Sequence, residues 1–152
     1  MKRSTLIDII CYVFFLLFVY TSLSKWFNYP LYIKDLHRSP LLGPFAGLIS
    51  IIIPLSELII AGMLLFARTR KWGLYGALTL MVLFTGYVGY VLGMTTERPC
   101  SCGGIIRLLT WPQHMVFNIL LTVLSIMGII IETNTENDTR SNNSNINLKT
   151  GT

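Results

Sequence analysis

Charged residues are scarce in this 152-residue chain, at 12% of the sequence against a hydrophobic share of 53%. A soluble domain carries roughly 25% charged residues, so a surface that faces water on all sides is excluded. Acidic residues are the scarcer kind, at 7 against 12 basic ones, which gives a net charge of +5. The basic residues stand in short clusters beside apolar runs, which is typical of membrane topology signals and does not indicate nucleic-acid binding.

Cysteine is also rare, with three residues in the chain, which excludes a scaffold held together by several disulfides. Cys11 lies within the first apolar run and is interpreted as a small buried hydrophobe. The sequence also lacks a glycine-rich nucleotide loop, a nucleophile–base motif and paired carboxylates, so no residues support a hydrolase.

What the sequence has in abundance is long apolar segments. Four such runs occupy about residues 5–24, 43–67, 73–94 and 114–131. Each is long enough to cross about 30 Å of hydrocarbon at 1.5 Å per residue, and backbone polar groups in lipid require helices. The sequence therefore predicts an all-α integral membrane bundle of four transmembrane helices within residues 1–132. The polar residues 133–152 are predicted to form a disordered tail, because they have too few apolar groups to bury.

The basic clusters predict how the bundle is oriented. Five basic residues lie on one side if four helices are crossed: Lys2, Arg3, Arg68, Arg70 and Lys71. The excess of Lys and Arg on cytoplasmic segments predicts that both termini are cytoplasmic. The connection between the third and fourth spans then faces the periplasm, on the outer side of a bacterial inner membrane.

A cysteine pair in that connection is the sharpest chemical feature. Cys100 and Cys102 stand two residues apart and are followed by Gly103 and Gly104. Residues at this spacing can approach within the roughly 4.4–6.8 Å between Cα atoms that a disulfide requires, and the small ring is expected to be strained and easily reduced. The glycines allow unusual backbone angles, and Arg98 favours a thiolate nearby. This pattern indicates thiol–disulfide exchange.

Two other interpretations of the cysteine pair stay open. The pair could form a structural bridge that only rigidifies the connection. It could instead hold Cu(I), with His114 as a third ligand, whereas a zinc site lacks a convincing fourth ligand. His114 begins the fourth span beside Trp111, and its alternative role is that of a hydrogen-bonded anchor at the membrane interface.

Glu57, near the middle of the second span, is a further candidate. Burying a charge at that depth costs at least about 2.5–3.5 kcal/mol, so an ionisable residue there suggests function. Glu57 could relay a proton, bind a quinone-like headgroup, or be a neutral carboxyl hydrogen-bonded to Tyr87 or to backbone freed by Pro54. Lys25, at the outer end of the first span, is expected to extend outward to water and not to pair with Glu57.

These motifs resemble the methylamine-utilisation MauE family, which belongs with the DoxX-like redox-associated membrane proteins. The resemblance covers about residues 5–132. It is carried by three motifs: Pro54-x-x-Glu57 in the second span, Cys100-Ser101-Cys102-Gly103-Gly104, and Trp111-x-x-His114 at the entry to the fourth span.

The resemblance implies a role in maturing periplasmic redox proteins through disulfide formation, together with a periplasmic thioredoxin-like partner. Cys100 and Cys102 would be the exchanging pair of a thiol–disulfide oxidoreductase component, and Glu57 the buried acid. A membrane quinone is the candidate cofactor, because some DoxX-like relatives use one, and a larger membrane complex is a candidate assembly. The alternatives are a non-enzymatic assembly subunit with a structural cysteine connection, and a small metal or solute carrier that uses Glu57.

Overall fold

The computed structural model describes residues 3–39, 41–94 and 111–150. The connection at 95–110 lies outside the described residues, and with it five residues singled out from the sequence: Arg98, Cys100, Cys102, Gly103 and Gly104. The predictions made for these five residues stay predictions.

The described parts of the chain contain five α-helices and no β-strand. The helices are α1 (Arg3–Phe27), α2 (Tyr29–Arg38), α3 (Ala46–Leu65), α4 (Arg70–Met94) and α5 (Trp111–Thr150), with a short 3₁₀ turn at Gly43–Phe45 before α3. Four of them, α1, α3, α4 and α5, are long and apolar enough to cross a membrane. This confirms the predicted all-α architecture with four membrane spans.

The four long helices form a closed ring. α1 packs against α3 and α5, and α4 packs against the same two helices, so α1 and α4 lie on opposite sides. Successive spans run in opposite directions, because the short helix α2 cannot cross the bilayer between α1 and α3. Buried residues such as Phe14, Phe18, Leu64 and Leu74 fill the centre. Large apolar side chains also cover the outer surface, where they suit lipid.

Buried residues recur at intervals of three or four along each helix, which places them on one face. The buried stripe of α3 comprises Ala46, Ser50, Pro54, Glu57, Ala61 and Leu64. The corresponding stripe of α5 includes His114, Asn118, Leu121 and Ser125. Polar side chains therefore lie inside the bundle, on the same faces as the core residues.

Two elements differ from the sequence-based expectations. The predicted disordered tail is helical, because α5 continues to Thr150. Once a transmembrane segment has nucleated a helix, each added residue gains one backbone hydrogen bond, so a polar extension can follow without a core of its own. The first connection contains α2, which begins with a proline in its first turn and buries Tyr32, Asp35 and Leu36.

Gly128 marks a close approach of α5 to two neighbouring helices. A Cβ atom there would lie 3.0 Å from Leu74 Cδ2 and 3.2 Å from Ile10 Cγ2. Gly128→Leu is expected to lower the free energy of unfolding by about 1–3 kcal/mol through overpacking. Unfolding in mixed detergent micelles measures this. Gly62→Leu is the matched control, because a Cβ there meets no atom of the described residues within 4 Å. Equal losses in the two variants would contradict close packing at Gly128.

Candidate functional site: a polar cavity inside the bundle

A cavity of about 500 Å³ lies within the half of the bundle where α1 ends and α5 begins. All five helices line it, including Tyr32 and Leu36 of α2. Most of its lining is apolar. Its polar lining residues on the four long helices are Thr21, Lys25, Glu57, Tyr87, Tyr90, His114 and Asn118. Two residues predicted from the sequence, Glu57 and His114, are therefore brought together with groups that the sequence did not single out.

An ion pair between Lys25 and Glu57 is the central feature of this cavity. The Lys25 ammonium donates to Glu57 Oε1 at 2.6 Å, and the two side chains are 6% and 1% exposed. The prediction that Lys25 extends outward to water is therefore wrong. Because each charge has a partner, both can be held inside the bundle at a much lower cost than either one alone.

The direction of helical side chains explains why the two residues meet. Side chains lean toward the N-terminus of their own helix. Lys25 stands in the last turn of α1, so its side chain leans back into the bundle. Glu57 leans toward the start of α3, which lies at the same end of the bundle as the end of α1. The antiparallel arrangement therefore turns the two side chains toward each other.

Neighbouring groups hold the pair in place. The Ser22 hydroxyl donates to the Pro54 carbonyl at 2.9 Å, which joins α1 to α3 beside the pair. The Lys25 Nζ atom also lies 5.8 Å from the centroid of the Phe84 ring, within the range of a cation–π contact. The ammonium is thus fixed between a carboxylate on α3 and an aromatic ring on α4.

Two polar atoms at the cavity have no hydrogen-bond partner among the described residues: Glu57 Oε2 and Asn118 Nδ2. Glu57 is fully buried and Asn118 is 4% exposed. A buried polar atom without a partner costs about 1–3 kcal/mol. The cavity therefore offers one hydrogen-bond acceptor and one donor to a bound molecule. Sequence reasoning missed Asn118, although its position four residues after His114 places it on the same buried stripe.

His114 lies in the first turns of α5 and is 6% exposed, so it is a buried lining residue of the cavity. Trp111 is the first residue of α5.

Tyr87, one predicted partner of Glu57, donates to the Ser39 hydroxyl at 3.1 Å and so joins α4 to the end of α2. The partner of Glu57 Oε1 is Lys25.

The opposite end of the bundle holds a second ion pair. Arg70 Nη1 lies 3.0 Å from Asp8 Oδ1, and the Asp8 side chain is 60% exposed. Cys11 is buried in the core and forms no disulfide. None of these three residues lines the cavity, and the Asp8–Arg70 ion pair connects α1 to the start of α4.

Comparison with known proteins gives one result. A family model described as "Methylamine utilisation protein MauE" matches residues 3–131. The matched segment contains all four long helices as far as residue 131, the cysteine pair and every residue of the cavity. No curated protein and no solved structure matches the chain.

Proposed function

Because this chain belongs to the methylamine-utilisation MauE family, as its motifs predicted, we propose that it supports disulfide formation in secreted proteins through Cys100 and Cys102. The observation that carries this proposal is the position of the cysteine connection. It joins the last turns of α4 to the first turns of α5, and these turns contribute Tyr90 and His114 to the polar cavity. A thiol pair and a polar intramembrane site therefore belong to the same end of the molecule.

The proposed reaction is thiol–disulfide exchange. A thiolate of the partner attacks one sulfur of the Cys100–Cys102 disulfide, the S–S bond breaks, and a mixed disulfide forms while the other cysteine leaves as a thiolate. The partner's second thiolate then attacks the partner's own sulfur in that adduct. The partner gains a disulfide, and Cys100 and Cys102 are left as two thiols that hold the two electrons and two protons.

The same proposal places the cysteine connection on the periplasmic face of a bacterial inner membrane. An oxidising compartment is where disulfides persist. Support comes from three basic residues at the opposite end of the bundle, as expected for the cytoplasmic side: Arg68, between α3 and α4, and Arg70 and Lys71, in the first turn of α4. The partner is proposed to be a periplasmic thioredoxin-like protein, held with this chain in a larger membrane complex.

Trapping the mixed disulfide tests this function. In Cys100→Ser and Cys102→Ser, the remaining thiolate can attack the disulfide of an oxidised partner, but it has no neighbouring thiol that could displace the partner from the mixed disulfide, so one of the two variants is expected to accumulate a covalent adduct. Acid quenching of intact cells, thiol alkylation and non-reducing electrophoresis would detect the adduct. Mass spectrometry is expected to identify a secreted thioredoxin-like protein that reductant releases.

Cys11→Ser is the matched control and is expected to give the wild-type pattern, because Cys11 is buried in the core. If neither single variant forms an adduct, the pair is a structural bridge and the chain is a non-enzymatic assembly subunit.

A further inference from the structure

We propose that the cavity beside the Lys25–Glu57 pair binds the ring of a lipid-soluble quinone and of the corresponding quinol. This inference rests on the proposed function, because it names the class of molecule that takes electrons from the cysteine pair. The size, lining and unpaired polar atoms of the cavity support it.

The size and lining of the cavity suit a small ring that enters from the bilayer. Its volume of about 500 Å³ lies within the roughly 300–1,000 Å³ that is typical of small-molecule sites. Three phenylalanine side chains, each from a different long helix, line it, namely Phe18, Phe84 and Phe117. Two other lining residues, Val82 and Leu83, are 52% and 59% exposed on the outer face of α4. The cavity therefore reaches the lipid-facing surface, and an apolar ligand can enter without crossing water.

The unpaired polar atoms select among lipid-soluble molecules. Asn118 Nδ2 can donate to a ring carbonyl, and Glu57 Oε2 can accept from a ring hydroxyl. A quinone carries the carbonyl, and its quinol carries the hydroxyl at the same position of the same flat ring. An acyl chain offers neither group, and it would leave both buried atoms without partners. The hydrogen-bonding pattern therefore favours the quinone class.

The ion pair leaves one oxygen of the Glu57 carboxylate able to accept a hydrogen bond from a ring hydroxyl. Lys25 contacts Oε1 and balances the charge of Glu57, so Oε2 remains as an acceptor inside the bundle.

The numbers of electrons and protons in the proposed reaction also balance. Two thiols that form the Cys100–Cys102 disulfide release two electrons and two protons, and reduction of a quinone to a quinol takes up the same number.

Isothermal titration of the purified full-length protein in detergent, with a short-chain, fully substituted benzoquinone as the probe, tests the inference. The wild type is expected to bind one molecule per chain. Asn118→Leu, which keeps the branched shape of the side chain and removes its hydrogen-bonding groups, should weaken binding about ten-fold, as expected for the loss of one buried hydrogen bond. Ser125→Ala is the matched control, because Ser125 is buried on the same stripe of α5 but does not line the cavity, and its affinity should equal that of the wild type.

The double variant Lys25→Met/Glu57→Leu removes both charges together and so avoids leaving an unpaired one. It is expected to bind the corresponding benzoquinol about ten-fold more weakly than the wild type, because the ring hydroxyl loses its acceptor, Glu57 Oε2. Absence of saturable binding by the wild type, or equal affinity of the wild type and both cavity variants, would overturn the inference.

Failure of the inference can be distinguished from failure of the proposed function. The variant Cys100→Ser/Cys102→Ser is expected to bind the benzoquinone as tightly as the wild type, because the cavity does not include the cysteines. Binding without any trapped adduct would support the cavity and reject the disulfide role. A trapped adduct without binding would support the disulfide role and reject the cavity as the acceptor site.

Discussion

Lys25→Met alone is expected to destabilise the folded bundle by about 3–5 kcal/mol, the range that follows when one partner of a buried ion pair is removed. Glu57 would then hold a carboxylate inside the bundle with no cation beside it. Glu57→Leu alone should have a similar effect, because it leaves the Lys25 ammonium unpaired. Unfolding of the purified protein in mixed detergent micelles measures both losses.

The double variant is the informative comparison. Replacing a buried ion pair by apolar residues of similar volume is often neutral or stabilising, so Lys25→Met/Glu57→Leu should recover most of the stability that either single variant loses. Lys34→Met, on the exposed face of α2, is the matched control and should change the stability by less than about 0.5 kcal/mol. A double variant whose loss equals the sum of the two single losses would show that Lys25 and Glu57 act independently, contrary to the 2.6 Å contact.

The four-span architecture could be predicted because it depends on the length and apolar composition of each segment and hardly on tertiary contacts. A run such as 43–67 can satisfy its backbone groups in lipid only as a helix, and its length alone shows that it spans the bilayer. The helix α2 was missed for the opposite reason. It has only ten residues and a mixed composition, and it is held by the packing of Tyr32 and Leu36 against the start of α3.

The candidate site was predictable in part. Glu57 could be identified without knowledge of its neighbours, because a carboxylate within an apolar run is costly wherever the other helices lie. Its partner could not be identified in the same way. A lysine at the end of a span generally extends outward to water. Here the Lys25 side chain leans inward from α1, and the Glu57 carboxylate on α3 gives it a partner inside the bundle.

The sequence nevertheless contained information about the partner. Lys25 follows Phe14, Phe18 and Ser22 at intervals of four, four and three residues, which is the spacing of one buried helical face. Asn118 could have been found by the same spacing, since it stands between His114 and Leu121 on α5. Inspection of polar residues at core positions would have identified both before the structure was known.

Disulfide formation with a quinone as the acceptor requires that electrons pass from the cysteine pair to a molecule held in the cavity. In the reduced wild type, addition of a fully substituted benzoquinone without oxygen is expected to oxidise Cys100 and Cys102 to a disulfide. A fully substituted ring is required, because it carries no hydrogen that a thiolate could replace by addition. The remaining thiols are counted by alkylation with a mass tag.

This anaerobic count of thiols tests the central claim most directly. We expect both thiols of the wild type and of the control Ser125→Ala to disappear as quinol forms in equal amount. At a benzoquinone concentration well below saturation, Asn118→Leu should react about ten-fold more slowly, in proportion to its weaker binding of the benzoquinone. Thiols that stay reduced in the wild type, or that are oxidised as fast in Asn118→Leu as in the wild type, would contradict this claim.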